Sequence, residues 1–215
     1  MIDIINKLFS NKSNQDQKYH TFKKIREVFE IDNLFKSISN YSDTSELRYV
    51  GGCVRKIITK ETVDDIDLAT NLNPDQVIEC LKNNEIKFYE TGIDHGTITA
   101  VINKKSFEIT SLRKDISTDG RHAKIQYTDN WQQDSLRRDF TINAIYSDID
   151  GNLFDPCDGK KDLENGNVVF IGDAEKRIKE DYLRILRYIR FFLNYSKKDH
   201  NADIKKVIRQ NINGV

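Results

Sequence analysis

The sequence predicts an α+β fold in which one mixed β-sheet is backed by helices. Two observations predict it: segments with helical periodicity occur in mixed order with short strand-like segments, and 215 residues can bury a core of ordinary size beside a smaller helical element. The mixed order by itself also allows an α/β arrangement. No internal repeat or low-complexity linker is visible, which excludes a repeat array.

The first half of the chain opens with a predicted helical lead-in over residues 1–44, because apolar residues recur at helical spacing from Lys18 to Ile38. Short runs bounded by turn residues then predict strands at 47–50, 65–69, 87–90, 97–102 and 106–111. Helices are predicted at 53–60 and, because Pro74 suits a first helical turn, from Pro74 to about Asn83.

The second half is predicted to contain a polar loop at 113–130, a helix near 132–146, a hairpin around Asp150, and a long helix over 174–195. In that last helix we expect an apolar seam to pack into the core, formed by Tyr182, Leu186, Ile189 and Leu193. A boundary near residue 170 divides the chain into segments 1–44, 45–170 and 171–215.

Composition excludes several classes of protein. No apolar stretch approaches the roughly 20 residues of a membrane span, so we expect no membrane association. The N-terminus lacks the features of a secretory signal, which predicts a cytoplasmic location. Cys53, Cys80 and Cys157 have no paired spacing, so neither a disulfide framework nor a zinc site is indicated.

Charge is balanced overall but unevenly distributed. Lys and Arg number 34, as do Asp and Glu, which at first sight argues against a nucleic-acid-binding protein. Between Lys176 and Arg209, however, eleven Lys or Arg stand against four Asp or Glu. This C-terminal part is where an RNA backbone would lie, although a solvated helix face explains the same charges.

Asp65 and Asp67 are the first candidates for chemistry. Side chains two apart on a strand point to the same face, so both carboxylates could grip one or two hard cations such as Mg²⁺. Alone, such a pair more often belongs to a turn or a surface strand. Gly51-Gly52, at a strand end before a helix, would let backbone N–H groups approach a triphosphate that Arg55 could also reach. A tight turn is the alternative interpretation of the two glycines.

Gly-Gly-Cys-Val-Arg at 51–55, followed by Asp-Ile-Asp-Leu-Ala-Thr at 65–70, resembles the catalytic signature of the class II tRNA nucleotidyltransferase and bacterial poly(A) polymerase family. Segments resembling the family's further motifs follow in order at 91–97, 107–110, 119–121, 137–144, 155–163 and 180–184. The resemblance covers about residues 47–193. It implies a nucleotidyltransferase head of polymerase β-like fold over 45–170 and a helical neck over 171–215.

The resemblance also implies an activity, namely template-independent addition of C and A, from CTP and ATP, to the 3′ end of tRNA or a similar RNA. Two Mg²⁺ ions held by Asp65 and Asp67 would serve the reaction. An A-adding enzyme or a poly(A) polymerase shares this head and is the nearest alternative. Residues 113–124 resemble the flexible loop that helps the family switch from adding C to adding A, which argues against a CC-only enzyme.

Further residues are expected close to the phosphates, the ribose and the 3′-OH. Glu108, on a strand expected beside the Asp pair, could be a ligand or a base, or merely a solvated Glu. Asp139 and Asn143 are four apart on a predicted helix and would share a face, which suits hydrogen bonds to ribose hydroxyls. Arg138 could pair with phosphate. An N-capping Asp before an ordinary polar face would explain the same spacing.

Asp181 and Arg184 are three apart near the start of the long predicted helix. An Asp acceptor beside an Arg donor complements cytosine and adenine, whereas guanine and uracil present the reverse order. With the resemblance, this pair is the expected amino-acid template, and an intrahelical ion pair is the alternative. The predicted nucleotide-binding set also includes Arg113 and Arg187.

Three features depart from the family pattern. Lys56 stands where Asp is frequent, and Tyr182 where Pro is common. Family members continue through a helical body and tail that hold the tRNA, whereas this sequence ends at Val215. A second subunit could supply those parts, and a non-catalytic or split RNA-binding fragment is the alternative from another functional class.

Overall fold

The computed structural model describes residues 14–119 and 122–215, and the side chains of 22–115 and 125–215. The helices are α1 (Asn14–Phe29), α2 (Asp32–Ser39), α3 (Gly52–Thr59), α4 (Pro74–Asn83), α5 (Trp131–Arg137), α6 (Gly159–Asn165), α7 (Ala174–Glu180), α8 (Leu183–Tyr195) and α9 (Ala202–Asn211). The strands are β1 (Leu47–Val50), β2 (Asp67–Thr70), β3 (Lys87–Gly92), β4 (Thr97–Ile102), β5 (Lys105–Ser111), β6 (Arg113–Asp119), β7 (His122–Tyr127), β8 (Tyr146–Ser147) and β9 (Leu153–Phe154).

Seven of these strands form one mixed sheet in the order β3-β4-β5-β2-β1-β8-β9. Strands β2 and β5 run parallel, and every other neighbouring pair is antiparallel. Strands β6 and β7 form a separate two-stranded hairpin. The predicted α+β class with a mixed sheet and helices is therefore confirmed.

Local sequence signals account for several element boundaries. Asn73 caps α4 through a reciprocal pair of hydrogen bonds with Gln76, and Pro74 occupies the first turn. Asp173 caps α7 by accepting from the Lys176 amide. Glu30 has a φ of 54°, which separates α1 from α2 inside the lead-in that the sequence predicts as helical. The part of that lead-in before residue 14 lies outside the described residues.

Two clusters of buried side chains form most of the core. The larger one lies between the sheet and α1 to α4, and it includes Phe22 and Leu34 of the lead-in as well as Tyr49 and Leu68 of the sheet. The smaller one is made by Phe140, Ile142, Leu163, Phe170, Ile178, Ile185, Tyr188 and Phe191. The larger cluster contains residues from both sides of the predicted boundary at 44, and the smaller one from both sides of that at 170, so the division into three segments stays a prediction.

Three predicted elements differ from the structure. In the predicted loop at 113–130, residues 113–119 and 122–127 form the β6–β7 hairpin, and residues 120 and 121 are not described. The helix predicted at 132–146 ends at Arg137. The long helix predicted over 174–195 is broken between α7 and α8 at Asp181, whose φ of −159° and ψ of 107° are extended.

The outer face of α8 is a further correction. Leu186, Ile189 and Leu193 are 50%, 37% and 76% exposed, so the predicted packing of these three residues into the core is wrong, whereas Tyr182 of the same seam packs against the smaller cluster. The opposite face is buried instead, through Ile185, Tyr188 and Phe191. Both faces are apolar at helical spacing, and packing against Phe140 and Phe170 determines which one faces inward.

Candidate active site

The turn between β1 and α3 forms the floor of the candidate site. Gly51 has φ 67° and ψ −120°, a conformation that side chains with a β-carbon rarely adopt. A β-carbon on Gly52 would lie 3.8 Å from the Asp67 carboxylate and 3.9 Å from the Arg55 guanidinium. Neither glycine therefore places a side chain over the backbone N–H groups in the first turn of α3, between a carboxylate and a guanidinium. An anion that binds at a helix N-terminus needs this access.

Asp65, Asp67 and Glu108 lie together at one side of this turn. Burial alternates along the chain, with Asp65 and Asp67 exposed and Ile66 buried between them, so both acids share a face although β2 begins only at Asp67. In the parallel pairing of β2 with β5, Asp67 is in register with Glu108. We call these three side chains the acidic edge.

The acidic edge is electrostatically unfavourable by itself. Partial desolvation and the negative charges of Glu108 and Asp65 raise the pKa of Asp67, against an opposing effect of Arg138 and Arg55. Among the residues that the structure describes, no group of three His, Cys, Asp or Glu side chains lies close enough to hold a metal ion by itself. A hard divalent cation nevertheless prefers carboxylate oxygens as ligands, and it can take its remaining ligands from nucleotide phosphates. The acidic edge thus fits such a cation.

A cavity of about 450 Å³ extends from Asp67 across the glycine turn to α8. It is lined by Gly51, Gly52, Arg55, Asp67, Arg137, Arg138, Asp139, Asn143, Asp181, Arg184, Arg187, Arg190 and Phe191. Most of the predicted site residues thus meet in one cavity, while Asp65, Glu108 and Arg113 lie outside its lining. Guanidinium groups dominate the wall, which suits a polyanionic ligand.

Asp139 and Asn143 meet in this cavity, although not on a helix as predicted. Asp139 follows the end of α5, and Asn143 ends a 3₁₀ turn over Thr141–Asn143. The Asn143 side-chain amide donates to Asp139 at 3.0 Å, and Arg187 donates to the same carboxylate at 2.6 Å. Burial raises the pKa of Asp139, but Arg187, Asn143 and the Phe140 amide together hold it below its ordinary value. Asp139 is therefore an ionised acceptor at the cavity wall.

Asp181 and Arg184 both line the cavity, from either side of the break between α7 and α8. The Asp181 carboxylate accepts from the Leu183 amide at 3.0 Å. The Arg184 guanidinium donates to Glu180 and to the Arg177 carbonyl, at 2.7 Å and 2.6 Å. Among the described residues no ion pair joins Asp181 to Arg184, so the alternative of an intrahelical pair between them is not what this structure contains.

Arg113 lies at the base of the β6–β7 hairpin and not in the cavity wall. Its guanidinium donates to the His95 carbonyl, and its Nε lies 3.9 Å from Asp115. Desolvation is the main reason that the pKa of Arg113 is lowered. The predicted nucleotide-binding role of Arg113 would therefore require its side chain to leave these contacts.

Sequence reasoning missed four residues of this site. Arg137, Arg190 and Phe191 line the cavity, and Asp134 lies behind it. Phe191 is 5% exposed, and the guanidiniums of Arg55, Arg187 and Arg190 lie 4.8, 5.6 and 4.9 Å from its ring centre. The available signal was the Arg-x-x-Arg-Phe spacing at 187–191, within the basic C-terminal stretch.

An acidic strand edge, a glycine turn at a helix start and an arginine-lined cavity define a nucleotide-binding site of the nucleotidyltransferase class. Residues 47–169 match the family described as the poly A polymerase head domain. The chain belongs to this family of metal-dependent nucleotidyltransferases, and the resemblance to the head of class II CCA-adding enzymes is confirmed.

The chain is also similar in sequence to proteins named as CCA tRNA nucleotidyltransferases or CCA-adding enzymes. The chain is 44% identical over 176 residues to the human CCA tRNA nucleotidyltransferase 1, mitochondrial, a match that covers 80% of this chain and 41% of that protein. It is 38% identical over 148 residues to the CCA-adding enzyme of Lactobacillus johnsonii, covering 68% and 36%. The chain thus spans about two fifths of the length of these relatives.

Solved structures agree with the described fold. The Bacillus stearothermophilus CCA-adding enzyme in complex with CTP superposes with a TM-score of 0.71 at 29% identity, covering 84% of this chain and 43% of that one. A tRNA nucleotidyltransferase complexed with a primer tRNA and an incoming ATP analog superposes with a TM-score of 0.62 at 26% identity, covering 79% and 47%. In the part of the chain that the structure describes, the helices are too short or too polar to cross a membrane.

Proposed function

We propose that this chain is the catalytic head and neck of a template-independent RNA nucleotidyltransferase that adds C and A, from CTP and ATP, to the 3′ end of tRNA. One observation carries the proposal: a single cavity joins Asp67 and the glycine turn at one end to Asp181 and Arg184 at the other. The first end would bind the reacting phosphate of a nucleotide, and the second would bind the base of the same nucleotide.

The triphosphate would lie over the glycine turn. Gly51 and Gly52 keep β-carbons out of this space, and the start of α3 offers backbone N–H groups and a positive dipole end. Arg55 and Arg138 line the same part of the cavity and would neutralise phosphate oxygens. The reaction is then an in-line attack of an RNA 3′-OH on the α-phosphate, with pyrophosphate leaving.

The acidic edge would hold two Mg²⁺ ions through Asp65 and Asp67. When bound, these ions lower the pKa of the attacking 3′-OH and neutralise the leaving pyrophosphate. Glu108, in register with Asp67, would complete the ligands or accept the 3′-OH proton. Because Mg²⁺ is commonly held by one or two carboxylates together with substrate phosphates, the small number of protein ligands supports this choice of metal.

The ribose and the base would contact the remainder of the wall. Asp139, ionised and oriented by Asn143 and Arg187, is an acceptor for a ribose hydroxyl. The Asp181 carboxylate and the Arg184 guanidinium supply an acceptor and a donor, which match the amino group and ring nitrogen of cytosine or adenine. Guanine and uracil would leave these groups unpaired, at a cost of roughly 1–3 kcal/mol for each buried group.

A helical body would cover the outer face of α8. Leu183, Leu186, Ile189 and Leu193 are exposed there, and the relatives are more than twice as long as the matched segment. This exposed apolar face supports a partner element, supplied by a longer polypeptide or by a second subunit. The basic residues of the neck support contact with the tRNA backbone, and the cytoplasmic location stays a prediction.

Incubation of the chain with tRNA lacking its terminal CCA, Mg²⁺ and each labelled nucleotide in turn tests the proposal. Incorporation of C and then A, with no incorporation of G or U, is expected. If A enters but C never does, an A-adding or poly(A) enzyme replaces the proposal. If RNA binds and no nucleotide is incorporated even when a helical body from a relative is supplied, the chain is a non-catalytic RNA-binding unit.

A further inference from the structure

Asp134 is a carboxylate buried completely, at 0% exposure, directly behind the arginine side of the cavity. One of its oxygens accepts from Arg137 Nε at 2.7 Å and from the Arg113 amide at 3.2 Å. The other accepts from Arg138 Nε and Nη2 at 3.2 Å and 3.1 Å, and from the Tyr146 hydroxyl at 2.6 Å. A buried carboxylate with this many donors is fully satisfied.

The charge of Asp134 is retained inside the protein. Burial raises its pKa, but Arg138, Arg137 and the Tyr146 hydroxyl outweigh burial and lower the pKa to about 2. An ionised carboxylate only accepts hydrogen bonds, so each guanidinium must present its N–H groups to Asp134 in one orientation. The side chains of Arg137 and Arg138 are thereby fixed, and much of their rotational freedom is already lost.

The fixed guanidiniums face the ligand side of the cavity. Arg137 and Arg138 both line it. Among the described residues, Nη1 of Arg138 has no hydrogen-bond partner, and it lies 3.8 Å from where a β-carbon of Gly51 would be. The charge of Arg138 also reaches Asp67, where it opposes the rise of the pKa. Asp134 therefore holds one edge of Arg138 and leaves the other edge free for a phosphate.

The same carboxylate also holds the base of the β6–β7 hairpin. The Arg113 amide, at the first residue of β6, donates to the oxygen of Asp134 that Arg137 occupies. Tyr146 of β8 lies 5.3 Å, ring to ring, from Trp131 at the start of α5. One side chain thus joins β6, α5, the segment after α5, and β8 at the arginine side of the cavity.

We propose that Asp134 is a positioning residue for nucleotide transfer. It orients Arg137 and Arg138 toward the triphosphate and ties the base of the β6–β7 hairpin to them, so that the phosphate-binding groups are set before the nucleotide arrives. This inference rests on the proposed function only for the identity of the triphosphate. Pre-orientation raises affinity because the side-chain entropy is lost on folding and not on binding.

Asp134→Asn keeps the shape of the side chain and removes its charge, and Tyr146→Phe removes one donor to the same carboxylate. Asp32→Asn is the matched control, because Asp32 accepts two hydrogen bonds from Arg26, at 2.7 Å and 3.0 Å, away from the cavity. CTP and CMP binding to each purified variant is measured by calorimetry. Hydrogen exchange at arginine Nε–H groups and at the Arg113 amide is measured by NMR without ligand.

With Asp134→Asn we expect about 10-fold weaker CTP binding and a smaller change for CMP. Arg137 and Arg138 would then bind the triphosphate less well, and CMP lacks two of the three phosphates. Exchange at the Nε–H groups of Arg137 and Arg138 and at the Arg113 amide should become at least about 10-fold faster, since their acceptor is weakened. Tyr146→Phe should shift both properties in the same direction by less. Asp32→Asn should change neither.

CTP affinity within two-fold of wild type, with unchanged arginine exchange, would overturn the inference. An equal loss of CTP and CMP affinity, together with loss of near-ultraviolet circular dichroism, would assign Asp134 a purely structural role. If Asp134→Asn does not fold, Tyr146→Phe decides by the same two measurements. If the wild-type protein binds no CTP, the proposed function fails, and the exchange rates alone still decide whether Asp134 orients the arginines.

Discussion

The two sides of the cavity differ in how completely the protein satisfies their charges. At the acidic edge, none of the described side chains donates a hydrogen bond to the carboxylates of Asp65, Asp67 or Glu108, and the charges of Glu108 and Asp65 repel that of Asp67. At the opposite side, which we call the arginine wall, Arg137 and Arg138 are held by the buried carboxylate of Asp134. The carboxylates of the acidic edge lack donors, whereas both oxygens of the Asp134 carboxylate have them.

The difference teaches which part of the site is formed in the free protein. A buried carboxylate that pairs with two guanidiniums keeps its geometry without ligand, and removing its charge would leave the guanidiniums without their partner. Like charges without partners destabilise the fold and are relieved when a cation binds. The arginine wall is therefore preformed, and the acidic edge is the part whose repulsion a bound cation would relieve.

Asp67→Asn should break the acidic side, and its effect on activity should exceed that of any substitution in the arginine wall. Incorporation into tRNA should fall by at least about 1,000-fold, because a metal ligand supplies several kcal/mol of transition-state stabilisation. The free energy of unfolding should stay equal or rise, since a repelled charge is removed. Single-turnover incorporation and urea denaturation measure the two quantities.

Asp64→Asn is the control for this substitution, because Asp64 is exposed and pairs at 3.0 Å with Lys56 outside the cavity. It should leave incorporation within about two-fold, as surface ion pairs contribute little. If Asp67→Asn keeps more than a tenth of wild-type incorporation, the acidic edge is not the metal site. A large loss of stability in Asp67→Asn would contradict the comparison between the two sides.

The ion pairs of the arginine wall should make the free energy of unfolding depend on pH. The pKa of Asp134 is about 2 in the folded protein, below its ordinary 3.8, so its stabilising contribution is present above pH 4 and is lost as the pH falls through 2. Relative to Asp134→Asn, wild type should be more stable by about 2 kcal/mol near pH 6. This difference should shrink between pH 4 and pH 2, and urea denaturation at several pH values measures it. A difference that does not change with pH would refute the ionised network.

Glu180→Gln tests whether a second carboxylate orients an arginine in the part of the cavity proposed to bind the base. Glu180 accepts from Arg177 and Arg184, both at 2.7 Å, and so orients the guanidinium that would read the base. Without this charge, Arg184 should occupy several orientations, and discrimination of CTP against UTP should fall about 10-fold, equivalent to about 1.4 kcal/mol. Competition between labelled CTP and UTP during incorporation measures the ratio. Unchanged discrimination would mean that Arg184 does not depend on Glu180.

Local patterns were sufficient to predict the parts of the molecule that depend on neighbours in sequence. The strand at Leu47–Val50, the glycine turn after it and the shared face of Asp65 and Asp67 follow from alternation and turn residues over a few positions. The same is true of α4, which the sequence predicts from Pro74 in its first turn. The roles of these site residues stay predictions.

Long-range contacts decided what the sequence pattern could not. The helix α5 ends at Arg137, and Tyr146 beyond it donates a hydrogen bond back to Asp134. The spacing of apolar residues contains no information about such a contact. Arg177 donates to the carbonyls of Arg137 and Arg138 from about forty residues away, and this holds the extended segment after α5. The 3.6-residue period therefore predicted a helix that tertiary hydrogen bonds interrupt.

The smallest effect is expected outside both sides of the cavity, on α8. Leu193→Gln replaces a side chain that is 76% exposed, so the free energy of unfolding of this chain should change by less than about 0.5 kcal/mol. Ile185→Ala, on the buried face of the same helix, should cost about 2–4 kcal/mol because it leaves a cavity beside Tyr188 and Phe191. Thermal denaturation of both variants measures this contrast. If Leu193→Gln were as destabilising as Ile185→Ala, the outer face of α8 would already be covered, and the place proposed for the helical body would be wrong.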